Sequence, residues 1–212
     1  MSRKLAIALF PSYPPDTIWH LTNLNEAAKR MNVKGLLDPA KQQELVEYVR
    51  ETSYSDYSYG GYLEDRSTLW AGSYLPLDGM IHLGLDFNVN AGRMVHTPVE
   101  GRVVYANHDK DQGGGWGGRV DLYSEEFELY IIFGHLEPTV DLLNVGKVIP
   151  KNGSLSWIGD TPVNGGWFPH LHLQLVSKSE YESYSDPSKI DGYGKMTKNL
   201  RARYPHPALL TL

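Results

Sequence analysis

From about residue 80 to residue 176, Gly, Pro and Asn punctuate the chain every few residues. Between them lie short runs of strand-forming composition: IHLGLDFNV, RMVHTPV, GRVVYANH, GGRVDLYS, ELYIIFGHL, VIPKNG, SLSWIGD and PHLHLQLV. No apolar repeat of helical period intervenes, so the region reads as all-β. Regular short strands joined by short turns imply a mainly β unit over residues 80–178, a compact antiparallel β-sandwich or barrel.

The rest of the chain is decoration on that unit. In DPAKQQELVEYVRET, Asp38 is a natural N-cap, Pro39 suits the first helical position, and Leu45, Val46 and Val49 make an apolar stripe. Residues 16–31 also have helical character, with Asp16 as a cap, so residues 1–52 are expected to form a small helical lobe of two short helices. A connecting segment follows over 53–79. Its SYSDYSYGGYLED stretch reads as loop, either a linker or a tyrosine-rich wall beside a cleft. Residues 179–212 are polar and irregular, and the prolines of RARYPHPALLTL argue against a long helix there.

Composition narrows the function. The net charge is −5 and no basic stripe is present, which argues against a nucleic-acid partner. There is no cysteine, so disulfides and thiolate metal ligands are excluded and any metal must be held by His and carboxylates. The N-terminal apolar run LAIALF is too short for a signal-peptide core, and no stretch approaches a membrane span. The expectation is a cytoplasmic protein, or one of the periplasm or cell envelope if the chain is shortened at its N-terminus. The oligomeric state is not legible.

Two histidine patterns suggest a metal. HLGLD puts His82 and Asp86 on one face of a strand, with Gly84 leaving room between them. FPHLHLQL puts His170 and His172 on one face and Leu171, Leu173 and Leu175 on the other. His82, Asp86 and one of the two histidines make a three-ligand set whose fourth position stays open to water, the catalytic arrangement for zinc. Ligand type alone leaves iron and manganese open. The other histidine of the pair, and His135 in IIFGHLEP, remain to move protons. His20, His96, His108 and His206 read as structural or exposed.

These residues in this order, H-x-x-x-D, then G-H-L, then P-H-L-H, resemble the M23 family of zinc metallopeptidases, the lysostaphin/LytM-type endopeptidases. The resemblance covers about residues 78–178 and extends to NAGRMVHTPVEGRVVYA and VGKVIPKNGSLSWIGDTPVNGGWFPHLHLQL. It implies the M23 peptidase fold, related to the barrel-sandwich hybrid, and one Zn²⁺ per chain bound by His82, Asp86 and His172. His135 and His170 would be the catalytic pair that handles protons and stabilises the oxyanion. The implied activity is hydrolysis of peptide bonds between small residues, in peptidoglycan cross-links, muropeptides or other peptides. The GGW-x-PHLH form and the C-terminal RARYPHPALL also resemble M23 modules fused to aminotransferase-like proteins.

The chain departs from the family pattern in two places. Asn164-Gly165-Gly166-Trp167-Phe168 replaces the usual Ser-Thr-Gly, and the loop NHDKDQGGGWGG over 107–118 is unusually glycine-rich. Both are expected to rim the cleft. The glycine-rich loop lacks the G-K-[ST] of a phosphate cradle. TPVEGRVVYA resembles biotinyl/lipoyl domains, but no Met-Lys-Met turn is present. Arg66 and nearby tyrosines are candidates for closing the groove or for packing the lobe. Asn23, Asn25 or His20 are candidates for a fourth, inhibitory ligand. The competing readings are a non-catalytic zinc-binding regulatory module, in which ligands are usually lost, and a zinc amide hydrolase acting on another small substrate.

Overall fold

A computed structural model describes residues 2–73, 76, 78–111 and 113–211 of the 212; three positions of the connecting segment and Gln112 of the glycine-rich loop lie outside it. The N-terminal region contains α1 (Ser2–Leu9), β1 (Trp19–Thr22), α2 (Leu24–Arg30), α3 (Pro39–Ser53) and β2 (Tyr57–Gly60). Helix α3 forms as its sequence dictates. The Asp38 side chain accepts the Ala40 N–H, Pro39 opens the helix, and Leu45, Val46 and Val49 are buried.

Three local expectations are corrected here. A third helix, α1, turns Leu5, Leu9 and Phe10 into the main core, each at most 1% exposed. Burial of such side chains is worth about 1.5–3 kcal/mol each, which is why this short helix docks on the sheet. Residues 16–31 are helical only from Leu24. Trp19–Thr22 is strand, and the cap is Asn23, which accepts the Glu26 N–H, rather than Asp16. The tyrosine-rich stretch is neither linker nor cleft wall over Tyr57–Gly60, where it forms β2 between β1 and β4. Tyr57 and Tyr59 pack against the main core, Tyr59 stacking on Phe87.

The β-rich runs all yield strands: β3 (Ile81–His82), β4 (Leu85–Asn88), β5 (Met94–His96), β6 (Gly101–His108), β7 (Gly118–Ser124), β8 (Leu129–Leu136), β9 (Val148–Ile149), β10 (Ser154–Trp157) and β11 (Leu171–Ser177). The C-terminal segment adds α4 (Lys178–Tyr181), β12 (Tyr193–Gly194) and α5 (Leu200–Arg203). No helix among the described residues is long and apolar enough to cross a membrane.

The protein is mainly β, built on one large sheet in the order β1-β2-β4-β11-β8-β7-β6-β9. Pairing is antiparallel throughout except between β1 and β2, which are parallel. Parallel neighbours need a crossover, and α2 and α3 supply it. The sheet is therefore mixed, and among the described residues it does not close into a barrel. A two-stranded sheet of β5 and β10 packs on its core face through Val95 and Leu155.

Alternation sorts the two faces of the large sheet. Leu85 and Phe87 of β4, Ile131 and Phe133 of β8, and Leu171, Leu173 and Leu175 of β11 enter the main core with α1. On the opposite face, Ile132 and Val176 pack with Tyr181, Ile190, Leu200 and Tyr204 of the C-terminal segment. A third cluster joins α2 and α3 to Leu69, Trp70, Met80 and Phe168. The polar residues of β4 and β11 emerge between these last two clusters.

Candidate metal centre

His82 and Asp86 do not lie on one continuous strand. The chain bends at Leu83-Gly84, so His82 ends β3, paired with β12, while Asp86 lies on β4 between β2 and β11. The bend carries out what a single strand was expected to do. His172 of β11 stands opposite Asp86 in register. The three side chains converge, with His82 Nε2 3.2 Å and His172 Nδ1 3.1 Å from Asp86 Oδ1 and 2.9 Å between the two nitrogens. All three are at most 2% exposed. Gly84 makes room for one of them, since a Cβ there would run into the His172 ring.

The outer hydrogen bonds decide where the protons sit. His82 Nδ1 is 2.9 Å from the Gly61 carbonyl, which can only accept, so Nδ1 carries the hydrogen and Nε2 is bare. Gln174 donates its Nε2 to the Asp191 carbonyl, so its Oε1 accepts from His172 Nε2 at 3.0 Å and His172 Nδ1 is bare. Burial, reinforced by the Arg66 guanidinium, pushes His82 down to about 3. Burial would raise Asp86, but His82, Arg66 and His170 outweigh it and hold the carboxyl well below its usual range. Two imidazole nitrogens and a carboxylate oxygen thus converge within 3.2 Å of one another. This donor set fits a divalent cation.

Asp86 offers only one oxygen to this centre. Its Oδ2 faces Arg66 Nη2 as an ion pair at 2.8 Å, off the hydrogen-bond line. Arg66 is 3% exposed; its Nε also pairs with Glu64 Oε2 at 3.1 Å and its Nη1 donates to the Tyr193 hydroxyl at 3.2 Å. Arg66 therefore stands behind Asp86 and fixes it, and it also lines the cleft into which the centre opens. The Tyr193 hydroxyl also accepts from Trp70 Nε1 at 2.7 Å, and burial pushes its phenol up to about 12.

His170 and His135 flank the centre, with ring centroids 4.4 Å apart. Each donates from Nδ1 to a backbone carbonyl, His170 to Phe168 at 2.8 Å and His135 to Asn164 at 2.9 Å. Each therefore leaves Nε2 as an acceptor. His170 Nε2 is 3.9 Å from Asp86 Oδ1. His135 reaches this face through a break in alternation. Phe133 and Leu136 both enter the core, and the skip between them falls where His135 adopts a left-handed φ of 64°. Burial lowers both imidazoles. Asp86 draws His170 partly back up, whereas His170 and His172 drive His135 further down, well below the usual range.

The other sequence candidates lie elsewhere. Asn23 caps α2, and the Asn25 side chain accepts the Thr68 and Leu69 N–H groups. His20 is exposed on β1. None of the three belongs to the metal-ligand cluster. His108 bonds the Val163 carbonyl, and His206 accepts the Ala208 N–H. Sequence reasoning missed Gly61, Glu64, Gln174 and Tyr193. Only Gln174 carried a signal, as the next residue on the His172 face of β11.

The centre opens into a cleft walled by Trp70, Trp116, Trp167, Phe168, Gly192 and Tyr193. Both departures from the family pattern reach it. Trp167 donates its indole N–H to the Gly115 carbonyl at 3.0 Å, and Gly114 N–H donates to the Gly165 carbonyl at 3.0 Å.

No family model matches the sequence. Among curated proteins the chain is 30% identical to lysostaphin of Staphylococcus staphylolyticus over 125 residues, covering 57% of this chain and 25% of that one. It is 28% identical to the glycyl-glycine endopeptidase ALE-1 of Staphylococcus capitis over 153 residues, covering 69% of this chain and 40% of that one. Among solved structures, the catalytic domain of the antimicrobial peptidase lysostaphin from Staphylococcus simulans superposes with a TM-score of 0.46 at 20% identity, over 79% of this chain and 98% of that one. The chain thus matches less than half the length of these curated relatives. By its ligand pattern and these sequence likenesses, the chain is similar to the lysostaphin-type peptidases of the M23 family.

Proposed function

We propose that the chain is a zinc-dependent endopeptidase that hydrolyses peptide bonds between small residues, with peptidoglycan cross-links or muropeptides as the substrate class. One observation carries the reading. Three ligand atoms, His82 Nε2, Asp86 Oδ1 and His172 Nδ1, converge within 3.2 Å of one another at the floor of an open cleft. The names of the relatives, lysostaphin and a glycyl-glycine endopeptidase, support the bond class.

Zinc held by these atoms would polarise the scissile carbonyl and lower the pKa of a water in the open fourth position toward ~7. The chain's own residues do the rest. His170 serves as the base of the flanking pair, its free Nε2 lying 3.9 Å from the Asp86 oxygen that would hold the metal. It takes the water's proton at Nε2 and returns it to the leaving amine. Its Nδ1 bond to Phe168 fixes the tautomer that this requires. His135 Nε2 faces the same cleft and orients the attacking water or the leaving group. Arg66 keeps Asp86 ionised with one oxygen turned inward. Trp116, edge-on to His172 at a centroid distance of 5.1 Å, screens the centre from bulk water.

The test is metal content by mass spectrometry on wild type and His82→Ala, paired with hydrolysis of pentaglycine and a muropeptide panel. About one zinc per chain, lost in the variant together with cleavage, is the expected result. Wild-type protein that takes up no zinc even when it is supplied would overturn the reading.

A further inference from the structure

Resting on the endopeptidase reading, we infer that Tyr193 is a third catalytic side chain beside His135 and His170. Its hydroxyl donates a hydrogen bond to the substrate carbonyl oxygen as negative charge develops there. Tyr193 lies on β12, beyond residue 178 and so outside the stretch of family resemblance.

Strand pairing places it. β12 runs antiparallel to β3, and Tyr193 stands opposite His82 in register. Opposed residues of such a pair project from the same face, so the phenol is carried to the metal cleft beside His82. The two rings lie 5.3 Å apart, and Tyr193 lines the cleft together with His135, His170 and His172. The Tyr193 N–H donates to Asp191 Oδ1 at 3.1 Å and the Leu83 N–H to the Gly192 carbonyl at 2.8 Å, which ties this two-residue strand in place.

Counting hydrogen bonds shows what the hydroxyl has left to give. A phenol oxygen carries two lone pairs and one hydrogen. Trp70 Nε1 donates to it at 2.7 Å and Arg66 Nη1 at 3.2 Å, and neither of those groups can accept in return. Both lone pairs are therefore occupied, and no described residue takes the hydrogen. The two carboxylates of this network are already committed. Glu64 accepts the Asn25 N–H at Oε1 and pairs with Arg66 through Oε2, and Asp86 Oδ2 faces Arg66. Burial pushes the phenol up to about 12 against the pull of its two donors, so the hydrogen is in place at neutral pH.

The flanking histidines do not supply this hydrogen bond in their resting tautomers. Each spends its Nδ1 hydrogen on a backbone carbonyl and offers Nε2 only as an acceptor. When water attacks the scissile carbonyl, its proton goes to His170 and the C=O π pair moves onto oxygen. Tyr193 keeps its own proton throughout. Its hydrogen bond is stronger to that oxygen than to the neutral carbonyl, so it favours the transition state over the bound substrate. The donors from Trp70 and Arg66 polarise the O–H and add to this.

The experiment uses the zinc-loaded full chain, pentaglycine, and a pentaglycine analogue with a tetrahedral phosphinate in place of one peptide group. Tyr193→Phe is expected to lower kcat about 100-fold, with KM within about threefold and about one zinc per chain retained. Phosphinate binding is expected to weaken by the same factor. A merely structural role would instead weaken pentaglycine and phosphinate alike. Because Tyr193→Phe also strands the Trp70 N–H, the comparison is repeated in a Trp70→Phe background, where the same drop on adding Tyr193→Phe is expected. A kcat within about threefold of the parent, or an equal loss for peptide and phosphinate, overturns the inference and leaves the endopeptidase reading standing. If the wild type cuts no peptide, the endopeptidase reading falls, and phosphinate binding alone decides the role of Tyr193. About 100-fold weaker binding in Tyr193→Phe then supports it, and equal binding or none overturns it.

Discussion

Gln174→Leu tests whether the residues around the centre, and not only its three ligands, make it a metal site. Gln174 is fully buried on β11 and accepts the His172 Nε2 hydrogen at 3.0 Å while donating to the Asp191 carbonyl. Leucine has nearly the same volume, so the substitution removes hydrogen bonds without opening a cavity. A buried donor left unpaired costs about 1–3 kcal/mol, which in a domain of this size lowers Tm by about 2–12 °C. The larger consequence is for His172, whose Nε2 hydrogen this bond holds. Without it, the hydrogen can move to Nδ1, the atom that faces Asp86 and His82. Loss of such an outer partner weakens metal binding by about 10–100-fold, or about 1.4–2.7 kcal/mol. Competition against a chromophoric chelator at neutral pH measures it. Gln174→Glu keeps the acceptor and is expected to hold zinc to within about tenfold of wild type. A folded Gln174→Leu protein that binds zinc within about twofold of wild type would refute the assignment of His172 Nδ1 as a ligand atom fixed from behind.

Three further outcomes follow from the same geometry. Arg66→Met strands Asp86 and Glu64 as unpaired buried carboxylates and is expected to destabilise the metal-free protein by about 3–5 kcal/mol in chemical denaturation. Adding Glu64→Gln should recover part of that loss, and an unchanged midpoint in Arg66→Met would contradict the buried pairing. Gly84→Ala places a methyl against the His172 ring and is expected to abolish stoichiometric zinc uptake while circular dichroism still reports a β-rich fold; full uptake would show that the ring can move aside. The third concerns pH. His82 is held at about 3 in the folded metal-free protein, far below its unfolded value, so the unfolded chain gains a proton first as pH falls. Stability in the presence of chelator should therefore be complete above about pH 6.5 and decline toward pH 3, with buried His135 and His170 acting in the same direction. Denaturation midpoints that are flat from pH 7 to 4 would rule this out.

The parts of the site that were legible in the sequence are those that a local rule could carry. His170-Leu171-His172 read correctly because alternation on β11 sends the leucines into the core and His172 to the opposite face. His82 and Asp86 read as neighbours even though the chain bends between them, since a bend at Leu83-Gly84 and a continuous strand both bring the pair together. Arg66 behaved differently. Its contact with Asp86 spans twenty residues of chain and depends on β2, β3 and β12 all being in place, which no periodicity announces. Strands β1 and β2, at four residues each, were too short to show alternation against their neighbours, so the parallel pair and its crossover were invisible. His135 breaks the alternation of its own strand through a left-handed backbone. Only its place in the G-H-L motif pointed to the cleft.

The glycine-rich loop and the Asn-Gly-Gly-Trp-Phe stretch are separated by nearly fifty residues, yet each makes sense only beside the other. Gly117 and Gly165 both take positive φ, and a Cβ on either would collide with the opposite loop's backbone. The closeness that glycine permits lets Trp167 reach the Gly115 carbonyl and lets Gly114 bond Gly165. A side chain at either glycine would push the loops apart, withdraw Trp167 from Trp70, and remove one wall of the metal cleft. Read alone, the glycines suggest flexibility. Read with their contacts, they are the condition for holding two tryptophans rigidly at the edge of a metal centre.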